Sequence, residues 1–148
     1  MLHLKAKQNI GFMNRAQERY FLEKGKFSGS LNQLGLGFQP QSAQFVYSVR
    51  ATADAAFQYG TTRSDCRLCK ASFYNWLPPA QGKCFSDFCA KPIHCKSQSY
   101  AGVTYVKQVA NKIATQSVLC EAKEPRTVQL NPIYRNGIVD CGANAKKL

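Results

Sequence analysis

Histidine is nearly absent from this chain: there are two in 148 residues, His3 near the start and His94 beside Cys95. Neighbouring residues on an extended chain point apart, so His94 and Cys95 do not readily form a Cys-His pair. His3 falls in a fraying terminus, and no Ser-His-Asp arrangement is readily built. Acidic residues are scarce too, eight in all, and Asp54, Asp65 and Asp87 sit in no motif that pairs carboxylates for acid–base work. Neither G-x-x-x-x-G-K-[ST] nor G-x-G-x-x-G occurs as a phosphate loop. Gly35-Leu36-Gly37-Phe38 has glycines, but it precedes a strand and reads as a turn. The longest apolar runs are only a few residues, far below the roughly 20 that cross a bilayer, and no signal peptide precedes them. If the protein is exported, its targeting segment has been removed. These absences predict no enzyme, no catalytic residue and no cofactor.

Basic residues, by contrast, are plentiful. Twenty Lys and Arg against eight Asp and Glu leave a formal net charge of +12, which attracts anions such as nucleic acid, phospholipid headgroups or acidic glycans without choosing among them. Residues 1–26 hold six basic and two acidic groups, 63–96 six and two, and 97–148 seven and three. The excess is spread rather than run together, so a soluble basic surface with no dedicated ligand is the plain alternative. The length suits one domain with its own core. Nine Phe, seven Tyr and one Trp, within 45% hydrophobic residues, argue for order.

From Leu4 to Lys24 the apolar residues Ile10, Met13, Ala16 and Tyr20 recur at steps of three and four, with Phe21 beside them. This is the period of an amphipathic helix. Lys24 suits the last turn and Gly25 the left-handed cap beyond it. Around Leu31 and Leu34, Ser28 or Ser30 is placed to cap one short turn, ended by Gly35 and Gly37. Gln44–Arg50 then alternates Phe45, Tyr47 and Val49 with Val46, Ser48 and Arg50, and Ala53–Tyr59 alternates through Ala55, Phe57 and Tyr59. These are two strands joined tightly through Ala51 and Thr52. After an irregular excursion, Tyr100–Val109 and Gln116–Glu121 read as two more strands, followed by a tail with an Asn136-Gly137 turn and Cys141. The expected fold class is α+β: one domain, 1–148, with a long N-terminal helix on a four-stranded antiparallel sheet. Its parts are helix 1–25, connector 26–43, hairpin 44–62, Cys-rich insertion 63–97, and later strands with the tail 98–148.

The run NRAQERYFLEKGKFSGSLNQLGLG, followed by the alternating FVYSV strand, resembles the type IV pilin-like proteins of cyanobacteria, major pilins included. KSQSYAGVTYV, SVLCEAKEP and the terminal CGANAKKL are similar to that family's later strands and C-terminal cysteine pair. The likeness covers residues 8–62 and 97–148, about two thirds of the chain. It implies a pilin head, secreted and built into surface filaments with other pilin subunits through the helix that holds Ile10, Met13, Ala16, Tyr20 and Phe21. It further implies an apolar stretch of about 20 residues N-terminal to this helix, anchoring the subunit in the inner membrane before assembly and forming the filament core afterwards. This sequence does not include that stretch, so Met1-Leu2-His3 is expected to mark a truncated soluble piece or a misassigned start. By the resemblance Cys120 and Cys141 pair, a closure that contributes on the order of 3 kcal/mol.

Five further cysteines, Cys66, Cys69, Cys84, Cys89 and Cys95, lie in the insertion, for which the family offers no counterpart. Clustered cysteines mean disulfides in an oxidising compartment or a metal in a reducing one. Cys66, Cys69, Cys84 and Cys89 offer four soft ligands for zinc, yet the Cys84–Cys89 spacing is looser than a typical knuckle and export favours oxidation. The leading expectation is two disulfides and one unpaired thiol, with open connectivity and no metal. Covalent haem is disfavoured because Lys70, not histidine, follows Cys69. A thioredoxin-like pair lacks its strand–helix setting. Phe73, Tyr74, Trp76, Phe85 and Phe88 alternate here with Arg67, Lys70, Lys83, Lys91 and Lys96, a mixture that stacks bases or sugars and holds phosphates. The plain alternative is that the rings fill a small core inside a disulfide-tied loop. Three functions follow: a structural filament subunit; a minor pilin acting as an adhesin or a DNA-capture module, the latter taking DNA or another anionic surface polymer, through Arg67, Lys70, Tyr74, Trp76, Lys83 and Lys91; and, more weakly, a zinc-stabilised binding module.

Overall fold

The computed structural model describes residues 2–42, 44–63, 97–125 and 129–148. Helix α1 (Leu2–Lys24) is followed by the short α2 (Leu31–Leu34), then by strands β1 (Phe45–Ala51), β2 (Ala55–Thr62), β3 (Tyr100–Val109) and β4 (Lys112–Ala122). The tail forms β5 (Ile133–Arg135), β6 (Ile138–Asp140) and β7 (Ala145–Lys147). The main sheet is antiparallel, in the order β1-β2-β3-β4-β7, and β5 pairs with β6 in a separate hairpin.

The pleat gives this sheet two different faces. Pairings of Tyr47 with Gly60, Gln58 with Gly102 and Gly102 with Leu119 put these residues on the face that α1 covers. There Ala6, Ile10 and Met13 of the helix pack with Phe45, Tyr47 and Tyr100. On the other face Ala55, Phe57, Tyr59, Val103, Tyr105 and Val118 are closed over by Leu130, Val139 and Ala145 of the tail. The domain therefore has two cores separated by one sheet, and residues Ala55 to Gly60 of the interior strand β2 are all buried. Cys120 and Cys141 form a disulfide, Cα to Cα 5.6 Å, that fixes the tail to β4.

Two glycines let the helix come close. A Cβ at Gly60 would lie 3.2 Å from Ile10 Cδ1, and one at Gly102 would lie 2.1 Å from Asn14 Oδ1 and 2.9 Å from Ile10 Cγ2. Further along, the contact turns polar. Glu18 accepts a hydrogen bond from Ser117, whose hydroxyl also bonds Thr104 at 3.0 Å. Asn14 and Gln17 are buried beside this seam, with Gln58 and Thr104 below them. Gln17 clamps the chain after the helix, donating to Ser28 O at 2.7 Å and accepting from Ser28 N–H at 2.9 Å. Removing one partner leaves buried backbone groups unsatisfied, so Gln17→Ala is expected to lower unfolding stability by about 2 kcal/mol in chemical denaturation.

The α+β class, the long helix on one sheet face and the antiparallel pairing agree with the sequence reading; the strand count does not. Four strands are expected and the sheet has five, because Ala145–Lys147 folds back beside Cys120–Ala122. Three residues give no period from which a strand is read. The β4 strand also begins at Lys112 rather than Gln116: Ala110, in the left-handed region at φ 54°, closes a tight turn. Lys112–Ala114 is exposed on both faces and so lacks the alternation that marks a half-buried strand. The first hairpin turns through Thr52–Asp54 rather than Ala51-Thr52, with Thr52 Oγ1 bonded to both N–H and C=O of Ala55 at 3.1 Å. Gly25 (φ 70°) caps α1 as expected, its N–H donating to Phe21 O at 2.7 Å. At Asn136-Gly137 both residues have positive φ, 50° and 80°, which suits a two-residue hairpin turn.

Burial holds the Tyr47, Tyr100 and Tyr105 phenols above their ordinary ionisation range near 10. Tyr100 is raised further by the Glu121 carboxylate and Tyr105 by Tyr134, whereas the Asn9 hydrogen bond opposes the rise at Tyr47. A folded-state pKa above the unfolded one adds stability that is complete below about pH 10 and lost as pH rises through the folded value. Denaturant midpoints are therefore expected to hold level from about pH 8 to 9.5 and to fall above about pH 10.

Candidate functional site on the outward face of α1

Helix α1 has two stripes. Ala6, Ile10, Met13, Ala16 and Gln17 are buried against the sheet and the connector, and Tyr20 and Phe21 are half-buried. Of the helix residues expected to serve assembly, Ile10, Met13 and Ala16 thus belong to the chain's own core. Opposite them, Lys5, Gln8, Phe12, Arg15, Arg19 and Leu22 recur at steps of three and four and are all exposed. On a 3.6-residue helix these lie in one line. Phe12 is 49% and Leu22 75% exposed, large apolar side chains on the solvent side of a charged helix.

Beside this line runs an open groove of about 340 Å³, bounded by Phe12, Arg15, Ala16 and Arg19 on the helix and by Gly35 and Leu36 of the connector. The groove exists because α2 ends at once: Gly35, at φ 61°, turns the chain back toward α1. The Arg15 guanidinium sits 5.5 Å from the Phe12 ring centroid. Among the described residues neither Arg15 nor Arg19 has a carboxylate within ion-pair distance. An apolar floor flanked by two unpaired cations is suited to another protein surface that brings apolar side chains and an acid. Sequence periodicity contained this stripe, but its mixture of Arg, Gln, Phe and Leu reads as an ordinary solvated face.

The insertion residues Cys66, Arg67, Cys69, Lys70, Tyr74, Trp76, Lys83, Cys84, Cys89, Lys91 and Cys95 lie outside the described residues. What is described is the neck from which they leave. Gly60 pairs with Tyr100 on adjacent strands. Beyond that pair Thr62 N–H donates to Ser99 Oγ at 3.1 Å, and Thr62 Oγ1 donates to Ser97 O at 2.9 Å. Arg63 continues the anchorage, its backbone N–H donating to Gln44 O at 2.7 Å and its guanidinium to Ser42 O at 3.0 Å. Among the described residues no group of three potential metal ligands occurs, and no helix is long and apolar enough to cross a membrane.

The model of the type IV pilin-like G and H family matches residues 4–142, nearly the whole chain and every element from α1 to the disulfide. The chain belongs to that family. Membership makes this a type IV pilin-like subunit, structural in kind, and implies assembly with other pilin subunits. No curated protein and no solved structure matches it.

Proposed function

We propose that the chain is a structural subunit of an extracellular type IV pilus or pseudopilus, held in the inner membrane before assembly and joined to its neighbours through the outward face of α1. The supporting observation is the two-sided helix. One stripe is used up against the sheet, and the other leaves Phe12 and Leu22 in water between Lys5, Arg15 and Arg19. Phe12 adjoins the groove lined by Ala16 and Leu36, an apolar patch rimmed by Arg15 and Arg19, and such a patch suits an interface. Filaments sheared from the cell surface and labelled with an antibody to this chain test the reading. Label repeating along the shaft is expected; label absent from sheared filaments, with the chain confined to the cell body, would remove it.

A second reading makes the chain a minor pilin that captures DNA, or another anionic polymer, through the basic and aromatic insertion. The neck favours it: hydrogen bonds among Thr62, Ser97 and Ser99 bring both ends of the excursion to neighbouring strands, so the segment between them leaves from a firmly tied base. Titration with single-stranded DNA at several salt concentrations decides. Phosphate contacts predict affinity that falls steeply with salt, and absence of binding even at low salt ends this version. Metal analysis with intact mass before and after reduction decides whether zinc or disulfides organise the five insertion cysteines.

A further inference from the structure

The outward face of α1 has a counterpart elsewhere on the same chain. In the β5–β6 hairpin, Tyr134 and Val139 point inward: the Tyr134 ring stacks on Tyr105 at 4.9 Å between centroids, and Val139 is buried in the tail-side core. Ile133, Arg135, Ile138 and Asp140 are left facing solvent, with Ile133 50% and Ile138 71% exposed. The disulfide at Cys141 and the cap from Gly142 N–H to Asp140 Oδ1, 2.8 Å, hold this surface in place immediately after β6. The hairpin packs on the tail side of the sheet and α1 on the other, so the two exposed apolar patches face away from each other.

We propose that the outer face of the β5–β6 hairpin of one subunit docks on the outward face of α1 of the next. This rests on the filament reading and names the partner surface for that same helix. The charges match in sign and spacing. On α1, Arg19 and Glu23 are separated by one turn, about 6 Å along the axis. On the hairpin, Ile133 pairs with Asp140 and Arg135 with Ile138, so Asp140 and Arg135 lie about two residues apart along the ladder, about 7 Å. Laid together, Arg19 faces Asp140 while Glu23 faces Arg135. The apolar residues follow the same order. Ile133, beside Asp140, meets the groove floor at Ala16 and Leu36, and Ile138, beside Arg135, meets Leu22; Phe12, about 10 Å up the helix axis from Arg19, lies beyond the hairpin. None of these four charged residues has an ion-pair partner within its own chain among the described residues. Two unlike patches on opposite sides of one molecule make a head-to-tail contact, which propagates when its rotation does not close a ring. A filament subunit requires that kind of contact.

Photo-crosslinking in assembled filaments tests this pairing. With Leu22 replaced by benzoylphenylalanine in the full-length chain, irradiation is expected to join residue 22 to segment 133–140 of a second copy. Crosslinks that map to α1 or to another segment, in filaments that still form, would overturn the pairing while leaving the filament reading intact. If the unsubstituted chain enters no filament, the filament reading fails first and the pairing with it. Charge exchange supplies a second readout should the bulky substituent block assembly. Arg19→Asp and Asp140→Arg are each expected to lower filament yield by about tenfold, because like charges then face each other. The two together are expected to restore it to within about threefold. Failure of the double variant to recover, with both single variants folded, would also overturn the pairing.

Discussion

Gly102→Ala is expected to destabilise the domain by about 3 kcal/mol, at the upper end of what an added methyl costs in a packed interior. The new Cβ would sit 2.1 Å from Asn14 Oδ1 and 2.9 Å from Ile10 Cγ2, so the helix must lift from the sheet or two buried side chains must leave their positions. Neither escape is free, since Ile10 is fully buried and Asn14 nearly so. In a domain of this size that loss lowers the melting temperature by roughly 10 °C. A partial rescue follows from the same geometry. Among the described residues Asn14 Oδ1 has no hydrogen-bond partner, and its amide makes one long bond, 3.5 Å to Val118 O. Asn14→Ala therefore removes the severest overlap at little cost, and the double variant is expected to recover more than half of the lost stability. Thermal melts of the two single variants and the double variant measure this. A Gly102→Ala chain as stable as the parent would mean that α1 does not sit this close to β3.

Breaking the Cys120–Cys141 bond is expected to have an effect of similar size by a different route. The bond closes a loop between residues 21 apart, worth about 3 kcal/mol through the restricted unfolded chain. It also fixes the tail that covers Phe57, Val103, Tyr105 and Val118 on the sheet face away from α1. Replacing both cysteines by alanine leaves no stray thiol, and the double variant is expected to melt roughly 10 °C lower. The β5–β6 hairpin should lose amide-exchange protection before the α1 side of the sheet does, because only the tail-side core depends on this clamp. A shift below about 2 °C would show that packing of Leu130, Val139 and Ala145 holds the tail without the bond.

How far the fold was legible in the sequence depends on whether a segment has a buried face. The helix stripe of Ile10, Met13 and Ala16 and the strand alternations at Phe45–Val49 and Ala55–Tyr59 are plain because each buries one side of its element. Lys112–Ala114 and Ala145–Lys147 pair in the sheet through backbone hydrogen bonds with little apolar burial, and backbone pairing leaves no pattern in side-chain identity. The polar seam was equally hidden. Asn14, Gln17 and Glu18 have the sequence signature of solvent-facing positions, yet Asn14 and Gln17 are buried, and Gln17 is matched by Ser28 and Glu18 by Ser117 from elements apart in the chain.

The candidate site shows the same limit from the other side. Periodicity identifies which helix residues are apolar and regular, so it selected the stripe that the fold consumes. Phe12 and Leu22 became visible as a surface only once Ile10 and Met13 were seen to face the sheet. The family resemblance reached the nature of the subunit from the NRAQERYFLE run and the cysteine pair, and the match over residues 4–142 agrees with it. Neither source distinguishes one helix face from the other; that takes the fold.

Filament yield from a Phe12→Glu, Leu22→Glu double variant decides whether this exposed stripe joins subunits. Both side chains face solvent, so the isolated domain is expected to melt within about 2 °C of the parent, as surface substitutions do. Filaments containing the variant should nevertheless be lost, because two carboxylates would replace the apolar contacts at the centre of the interface. Filaments formed in undiminished amount by a folded double variant would contradict the claim.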